Sequence, residues 1–228
     1  MKKILITFLM LFSSLSFAVA PEVGVNFDKT AQVVPTDNKD KIEITELFWY
    51  GCIHCYQMDP MLSDWVKKLP KDVYFKRMPA IPRPDWAPMA RAFYAMETLG
   101  VADKLHMAIF EAVHKDRTLN PSDEKAILQW VTLKSGLDRK KVEDAFNSFS
   151  MNASLNKAAQ VFRASGATGV PTLMIDGKYI TSAGGAKSFE AALYLCEYLY
   201  GPEIARSLAG GLIIDWKLQE VPHVILND

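Results

Sequence analysis

Apolar and polar positions along this chain follow two different periods, and the change between them separates an α/β frame from a helical block. The stretch at 42–50 (Ile42-Glu43-Ile44-Thr45-Glu46-Leu47-Phe48-Trp49-Tyr50) is rich in β-branched and aromatic residues and is the strongest strand candidate. Directly after it, Met61, Leu62, Trp65, Val66 and Leu69 recur at helical spacing, so a helix is expected there. Pro60 lies inside that helix, removing one backbone donor and kinking it. Residues 27–34 predict a short edge strand closed by Pro35, and residues 73–78 predict the next strand. Pro79, Pro82 and Pro84 then break regularity.

From 85 to 166 the pattern is helical. Asp85 is expected to cap a helix that carries Met89, Phe93, Met96 and Leu99 on one face and stops at Gly100. Val101, Leu105, Ala108, Ile109 and Ala112 mark a second helix. Asn120-Pro121 is expected to open a third, with proline at the tolerated first position, Ile127, Trp130 and Val131 as its stripe and Gly136 as its end. Asp138 caps a fourth, with Leu137 and Val142 at the two positions of a hydrophobic staple. A fifth runs over 152–165 and ends at Gly166. The frame then returns as two short strands, 172–175 and 178–181, joined by Asp176-Gly177, a dipeptide suited to a tight hairpin turn with positive φ. Phe189, Ala192, Leu193, Cys196 and Leu199 form the stripe of a closing helix, stopped by Gly201-Pro202. A short helix at 203–208 and an additional apolar segment over 212–228 follow.

The N-terminus changes the picture by giving a compartment. Met1-Lys2-Lys3, an apolar run over 4–15 too short to span a bilayer, and small residues at Ser16, Ala18 and Ala20 have the pattern of a secretory signal peptide. Cleavage fits after Ala18 or after Ala20, although Pro21 would follow the second cut; an uncleaved N-terminal anchor is the competing reading. Export implies a disulfide-permissive compartment. Half of the 228 residues are apolar and the formal net charge is zero, which gives no footprint for nucleic acid. Three cysteines are too few for a disulfide scaffold, and two of them stand close together.

That pair is Cys52-Ile53-His54-Cys55, at the end of the aromatic strand and the start of a helix. A helix N-terminus offers unpaired N–H groups and a positive dipole end, which favour a thiolate over a thiol. Cys52 is therefore the candidate nucleophile and Cys55, about one turn deeper, its resolving partner. His54, beside the Cys52 sulfur, further stabilises the thiolate if it donates or is cationic. Haem attachment needs a histidine directly after the second cysteine, where Tyr56 stands, and zinc needs about four ligands where only this cluster is present, so neither metal nor cofactor is expected. A bridge closing so small a loop adds little reinforcement. Gly169-Val170-Pro171-Thr172 precedes a strand. An ordinary trans proline is one reading; a cis bond that turns Val170 backbone groups towards Cys52, ready to pair with an extended peptide, is the other. Glu46 is a carboxylate in an apolar strand, either pointing to solvent from an edge or buried with a raised pKa to carry the proton of Cys55. Cys196 reads as a small buried hydrophobe, and Met58, Met61, Met78, Met89 and Met96 as core filling.

Glu46 with its aromatic strand, His54 between the cysteines, Cys55-Tyr56-Gln57, the helical block, Gly169-Val170-Pro171 and Asp176-Gly177-Lys178-Tyr179 together resemble the DsbA family of exported thiol–disulfide oxidoreductases. The resemblance implies an α/β thioredoxin-like fold with an inserted all-helical domain: signal peptide over 1–18, thioredoxin-like parts over 21–82 and 167–201, insertion over 83–166 and a C-terminal extension over 202–228. It implies that Cys52 is the exposed nucleophile, Cys55 buried, Pro171 cis and Glu46 the buried acid, with Ile53, Val170 and Pro171 on the substrate-binding surface. It further implies oxidation of unfolded exported proteins with free cysteines in the periplasm, reoxidation by a quinone-linked membrane partner like DsbB, and a monomer. Two departures stand out. Ile53 replaces the family's proline between the cysteines, and Arg77, with Lys76 adjacent, falls by spacing where the buried acid's lysine partner is usual. Arginine does not give up its proton, so any relay there runs through the carboxylate alone. A disulfide isomerase or reductase, or a chaperone or metal carrier using the same dithiol, are the alternative functions. Once a signal peptide is removed, the roughly 30 mature residues before Cys52 leave little room for the N-terminal dimerisation region usual in isomerases.

Overall fold

The computed structural model describes residues 23–24 and 27–181. Its frame is a five-stranded sheet in the order β1-β5-β4-β2-β3. The strands are β1 (Asp28–Lys29), β2 (Ile42–Phe48), β3 (Val73–Pro79), β4 (Thr172–Ile175) and β5 (Tyr179–Ile180). β2 and β3 run parallel because the helix α1 (Ile53–Val66) carries the chain back between them; the other pairings are antiparallel. Between β3 and β4 lie α2 (Ala87–Thr98), α3 (Ala102–His114), α4 (Glu124–Ser135), α5 (Arg139–Phe146) and α6 (Met151–Ser165). The structure is thus an α/β sheet with a helical insertion.

Strand alternation decides what each face of β2 meets. Ile44 packs with Met58, Leu62 and Trp65 of α1, whereas Leu47 packs with Met78, Met174, Val161 and Phe162 on the α6 side. At the end of β2, Phe48 and Tyr50 enter the core of the insertion with Phe93, Ile109 and Phe110, so the active-site end of the strand is gripped by the helical block. The hairpin forms as its sequence suggests: Asp176 and Gly177 both have positive φ, 49° and 62°. A side chain at Gly177 would also strike the Val34 carbonyl. Asp138 accepts a hydrogen bond from the Lys141 N–H and caps α5, and Gly136 and Gly166 end α4 and α6 in the left-handed region.

Several expectations need correction. The edge strand at 27–34 is only Asp28–Lys29, because Thr30, Gln32 and Val34 bond to loop and helix-end carbonyls, Gly177 O and Ala164 O among them, instead of a strand ladder. Pro84–Trp86 is a short 3-10 turn, and α2 begins after Trp86; Asp85 pairs with Arg83 instead of capping. α4 starts after Asp123, whose carboxylate caps the Ala126 N–H, while Asn120-Pro121 forms the turn before it. The buried stripe of α1 is Cys55, Met58, Asp59, Leu62 and Trp65, so Met61 lies outside the core, 45% exposed. The other four methionines assigned to the core are buried. The signal peptide, closing helix, Cys196 and C-terminal extension lie outside the described residues.

Candidate active site

β2 ends at Phe48, and Trp49, Tyr50 and Gly51 turn the chain into α1. The indole of Trp49 lies across Gly51, where a Cβ would run into it, and stacks on Trp86 of the insertion at 4.0 Å between ring centroids. Cys52 is the N-cap residue, extended at φ −91° and ψ 117°, with its N–H donated to the Trp49 carbonyl at 2.9 Å. This conformation directs the sulfur over the first turn of α1. Cys52 is half-buried and Cys55 fully buried, both as free thiols.

The two sulfurs have opposite environments. A hydrogen bond from the Cys55 thiol is the largest influence holding the Cys52 thiol down, to about 6; burial opposes it, and the N–H groups of Cys55 and His54 and the nearby His54 ring assist. The Cys55 thiol is pushed well above its ordinary value, first by burial, then by the Cys52 sulfur and the Glu46 carboxylate. At neutral pH the pair therefore divides into one thiolate and one thiol.

Around Cys52, the Val170–Pro171 bond is cis, and the Cys52 thiol lies 3.4 Å from the Val170 carbonyl that can accept from it. Ile53 and His54 are exposed on the same rim. His114 of α3, absent from the sequence reading, donates at the rim as well: its Nε2 lies 2.8 Å from the Tyr50 carbonyl, which can only accept, and its ring stacks on Tyr56.

Beneath the dithiol, Glu46 is 1% exposed, and its register partner on β3 is Arg77, as the spacing suggested. Arg77 Nε donates to Glu46 Oε2 at 3.1 Å. Burial pushes the Glu46 carboxyl up to about 7; Arg77 opposes that rise, while Asp59 and Cys52 add to it. The edge reading of Glu46 is thereby excluded. The sequence reading missed Asp59 and His106, both buried: Asp59 Oδ1 accepts from Arg77 Nη2 and lies 3.0 Å from His106 Nε2. Their signal was present, since each polar residue occupies an apolar stripe, Asp59 between Cys55 and Leu62 and His106 between Leu105 and Ile109. Among the described residues, no group of three or more His, Cys, Asp or Glu side chains could hold a metal ion, and no helix is long and apolar enough to cross a membrane.

Comparison with known proteins follows the same lines. The family of DSBA-like thioredoxin domains matches residues 71–195. The chain is similar to the thiol:disulfide interchange protein DsbA of Pseudomonas aeruginosa, 35% identical over 210 residues that cover 90% of this chain and 98% of that one. It is 36% identical to the protein of the same name from Burkholderia cepacia over 207 residues, 87% of this chain and 96% of the other. Among solved structures, that of Pseudomonas aeruginosa DsbA superposes with a TM-score of 0.70 at 35% identity, covering 81% of this chain and 95% of that one. The oxidoreductase DsbA from Xylella fastidiosa superposes with a TM-score of 0.72 at 27% identity, covering 78% and 96%.

Proposed function

This chain belongs to the DsbA family and is a thiol–disulfide oxidoreductase, and on that premise we propose that it introduces disulfide bonds into newly exported proteins through Cys52 and Cys55. The observation that carries the direction of the reaction is the split between the two sulfurs, a favoured thiolate at Cys52 above a buried thiol at Cys55. Each pH unit by which the nucleophile's pKa lies below ambient pH favours the reduced form by about 1.4 kcal/mol, or about 30 mV for a two-electron couple. A reduced state stabilised in this way makes the bridged state an oxidant.

In the cycle, a substrate thiolate attacks Cys52 Sγ of the bridge between Cys52 and Cys55. A substrate–Cys52 bond forms and the bridge breaks, leaving Cys55 as a thiolate in an apolar site that disfavours charge. Protonated Glu46 supplies the proton and Cys55 becomes a thiol. A second substrate thiolate then attacks the substrate sulfur of the mixed disulfide, and Cys52 leaves as its stabilised thiolate. Two electrons pass from the substrate dithiol to the enzyme. Return to the bridged state requires an oxidant, for which a DsbB-like quinone-linked membrane protein is the proposed partner, and Glu46 as carboxylate then takes the Cys55 proton back. Val170, Pro171 and Ile53 form the surface on which an extended substrate segment lies, with Val170 backbone groups available for strand-like pairing. His54 steadies the thiolate from the rim. The N-terminal pattern over 1–18 supports delivery to the periplasm by a signal peptide. The enzyme acts as a monomer, without cofactor or metal.

Equilibration with glutathione buffers tests the direction. The dithiol is expected to be reduced in buffers that leave a structural disulfide intact. A dithiol that stays bridged until the buffer is strongly reducing would instead identify a reductase. In parallel, Cys52→Ser is expected to abolish peptide oxidation, and Cys55→Ser to accumulate mixed disulfides through Cys52; recovery of no adduct would overturn the assigned roles.

A further inference from the structure

Arg77 faces two buried carboxylates with one positive charge. Its Nε bonds Glu46 Oε2 at 3.1 Å, and its Nη2 bonds Asp59 Oδ1 at 3.0 Å and Ser63 Oγ at 3.0 Å. The carboxylates are not equally served. Asp59 also accepts from Ser63 Oγ at 3.1 Å and from His106 Nε2 at 3.0 Å. A carboxylate can only accept, so Nε2 of the neutral ring carries the hydrogen, and Nδ1 takes the Tyr50 hydroxyl hydrogen at 2.8 Å. Glu46 has Arg77 as the one hydrogen-bond partner of its carboxylate among the described residues. Against burial, the bonds and charges of His106 and Arg77 and the Ser63 hydroxyl hold the Asp59 carboxyl below its ordinary value, so it remains charged.

We propose that Asp59, fixed in place by His106 of the helical insertion, is a positioning residue for the proton-transfer step: it holds the Arg77 guanidinium between two carboxylates, so that Glu46 is left able to keep a proton at neutral pH. The inference rests on the reading of Glu46 as proton carrier and extends it to the residues that prepare it. Without Asp59, Arg77 would serve Glu46 alone, and a singly paired, salt-bridged glutamate stays ionised and has no proton to give to Cys55. The arrangement suits an arginine, since a lysine head carries one nitrogen where this fork uses two to reach both acids. It also joins the halves of the molecule, because Glu46 and Arg77 come from the sheet, Asp59 from α1 and His106 from α3. The Cys52 sulfur adds its charge at Glu46, and the other charged groups facing the cluster are Glu97 of α2 and Asp103 of α3. Both line a cleft of about 270 Å³ together with Arg77 and His106, and both add negative potential there.

The test is the titration of the Glu46 carboxyl in reduced protein, followed by carbon NMR with glutamate-labelled side chains and assigned by the signal lost in Glu46→Gln. Asp59→Asn is expected to lower the Glu46 midpoint at least tenfold in proton affinity, and Asp59→Glu, which restores the charge, to return it towards the wild-type value. The limb of the pH profile of peptide oxidation that disappears in Glu46→Gln is expected to shift to lower pH in Asp59→Asn by the same amount. An unchanged Glu46 midpoint in Asp59→Asn overturns the inference. A pH profile untouched by Glu46→Gln overturns instead the reading of Glu46 as proton carrier, so the two failures are distinguishable. A measurement on the wild-type protein covers the case in which Asp59→Asn does not fold. Nitrogen NMR of the His106 ring is expected to show the neutral form with hydrogen on Nε2 at pH 7. An imidazolium there would satisfy Asp59 by itself, release Arg77 to Glu46 and overturn the inference.

Discussion

Two buried glutamates three residues apart on β2 show how much surroundings matter for the same side chain. Glu43 and Glu46 are each 1% exposed, and strand alternation sends them to opposite faces of the sheet. On the α6 side, the Glu43 carboxylate receives three donors, the Asp37 N–H at 2.7 Å, the Thr45 hydroxyl at 3.3 Å and, at 2.8 Å, the Lys76 ammonium that it shares with the Asp37 carboxylate. On the α1 side, Glu46 shares Arg77 with Asp59 and stands near a buried thiol. A buried carboxylate met by several donors is tied into the structure, whereas Glu46, met by one donor that it shares with a second acid, is able to keep a proton. Burial of an acid alone therefore does not locate chemistry; the inventory of donors does.

The largest test of this contrast is Glu43→Gln. The amide is a weaker acceptor for the Asp37 N–H and leaves Lys76 with Asp37 as its remaining anionic partner, and is expected to destabilise the fold by about 3 kcal/mol, read by denaturant unfolding, with peptide oxidation unchanged within a factor of about two. Glu46→Gln is expected to act in the opposite sense. The folded-state value of about 7 lies above the ordinary 4.5, so the stability linked to this group is present below about pH 4.5 and is lost as pH rises towards 7. The amide removes that penalty and should stabilise the reduced protein by about 2 kcal/mol at pH 8, with little effect at pH 4. Destabilisation at pH 8 would mean that Glu46 is as well paired as Glu43. The smallest effect is kinetic: Glu46→Gln should slow peptide oxidation at pH 7 about tenfold, at the low end of what a positioned acid contributes.

The fold was largely legible in the sequence because the signals that set it are local. The Asp176-Gly177 turn, the Asp138 cap and the glycines ending α4 and α6 act within a few residues of themselves. The pairing of Glu46 with Arg77 was legible too, since adjacent parallel strands carry a simple offset. What escaped was tertiary. On α1 the apolar spacing finds the buried Leu62 and Trp65 but also places Met61 inside and passes over Asp59, because a carboxylate on a buried face makes sense only once Arg77 and His106 are seen beside it. The start of α4 was drawn to Pro121, a good first-turn residue, although Asp123 supplies the cap and Pro121 stays in the preceding turn. The dithiol was legible from its position between strand and helix, but the leading cause that steadies Cys52 is the Cys55 thiol, ahead of the backbone and of His54.

Oxidation by this dithiol depends on its division into one thiolate and one thiol. The direct measurement is the rate of alkylation of the reduced protein across pH 4 to 10 in a Cys196→Ser background, so that the third thiol does not contribute. The expected result is a single reactive thiol, absent in Cys52→Ser, whose titration has its midpoint near 6, with Cys55 unreactive throughout the neutral range. A Cys52 midpoint near 8.5, that of an ordinary free thiol, would contradict the account.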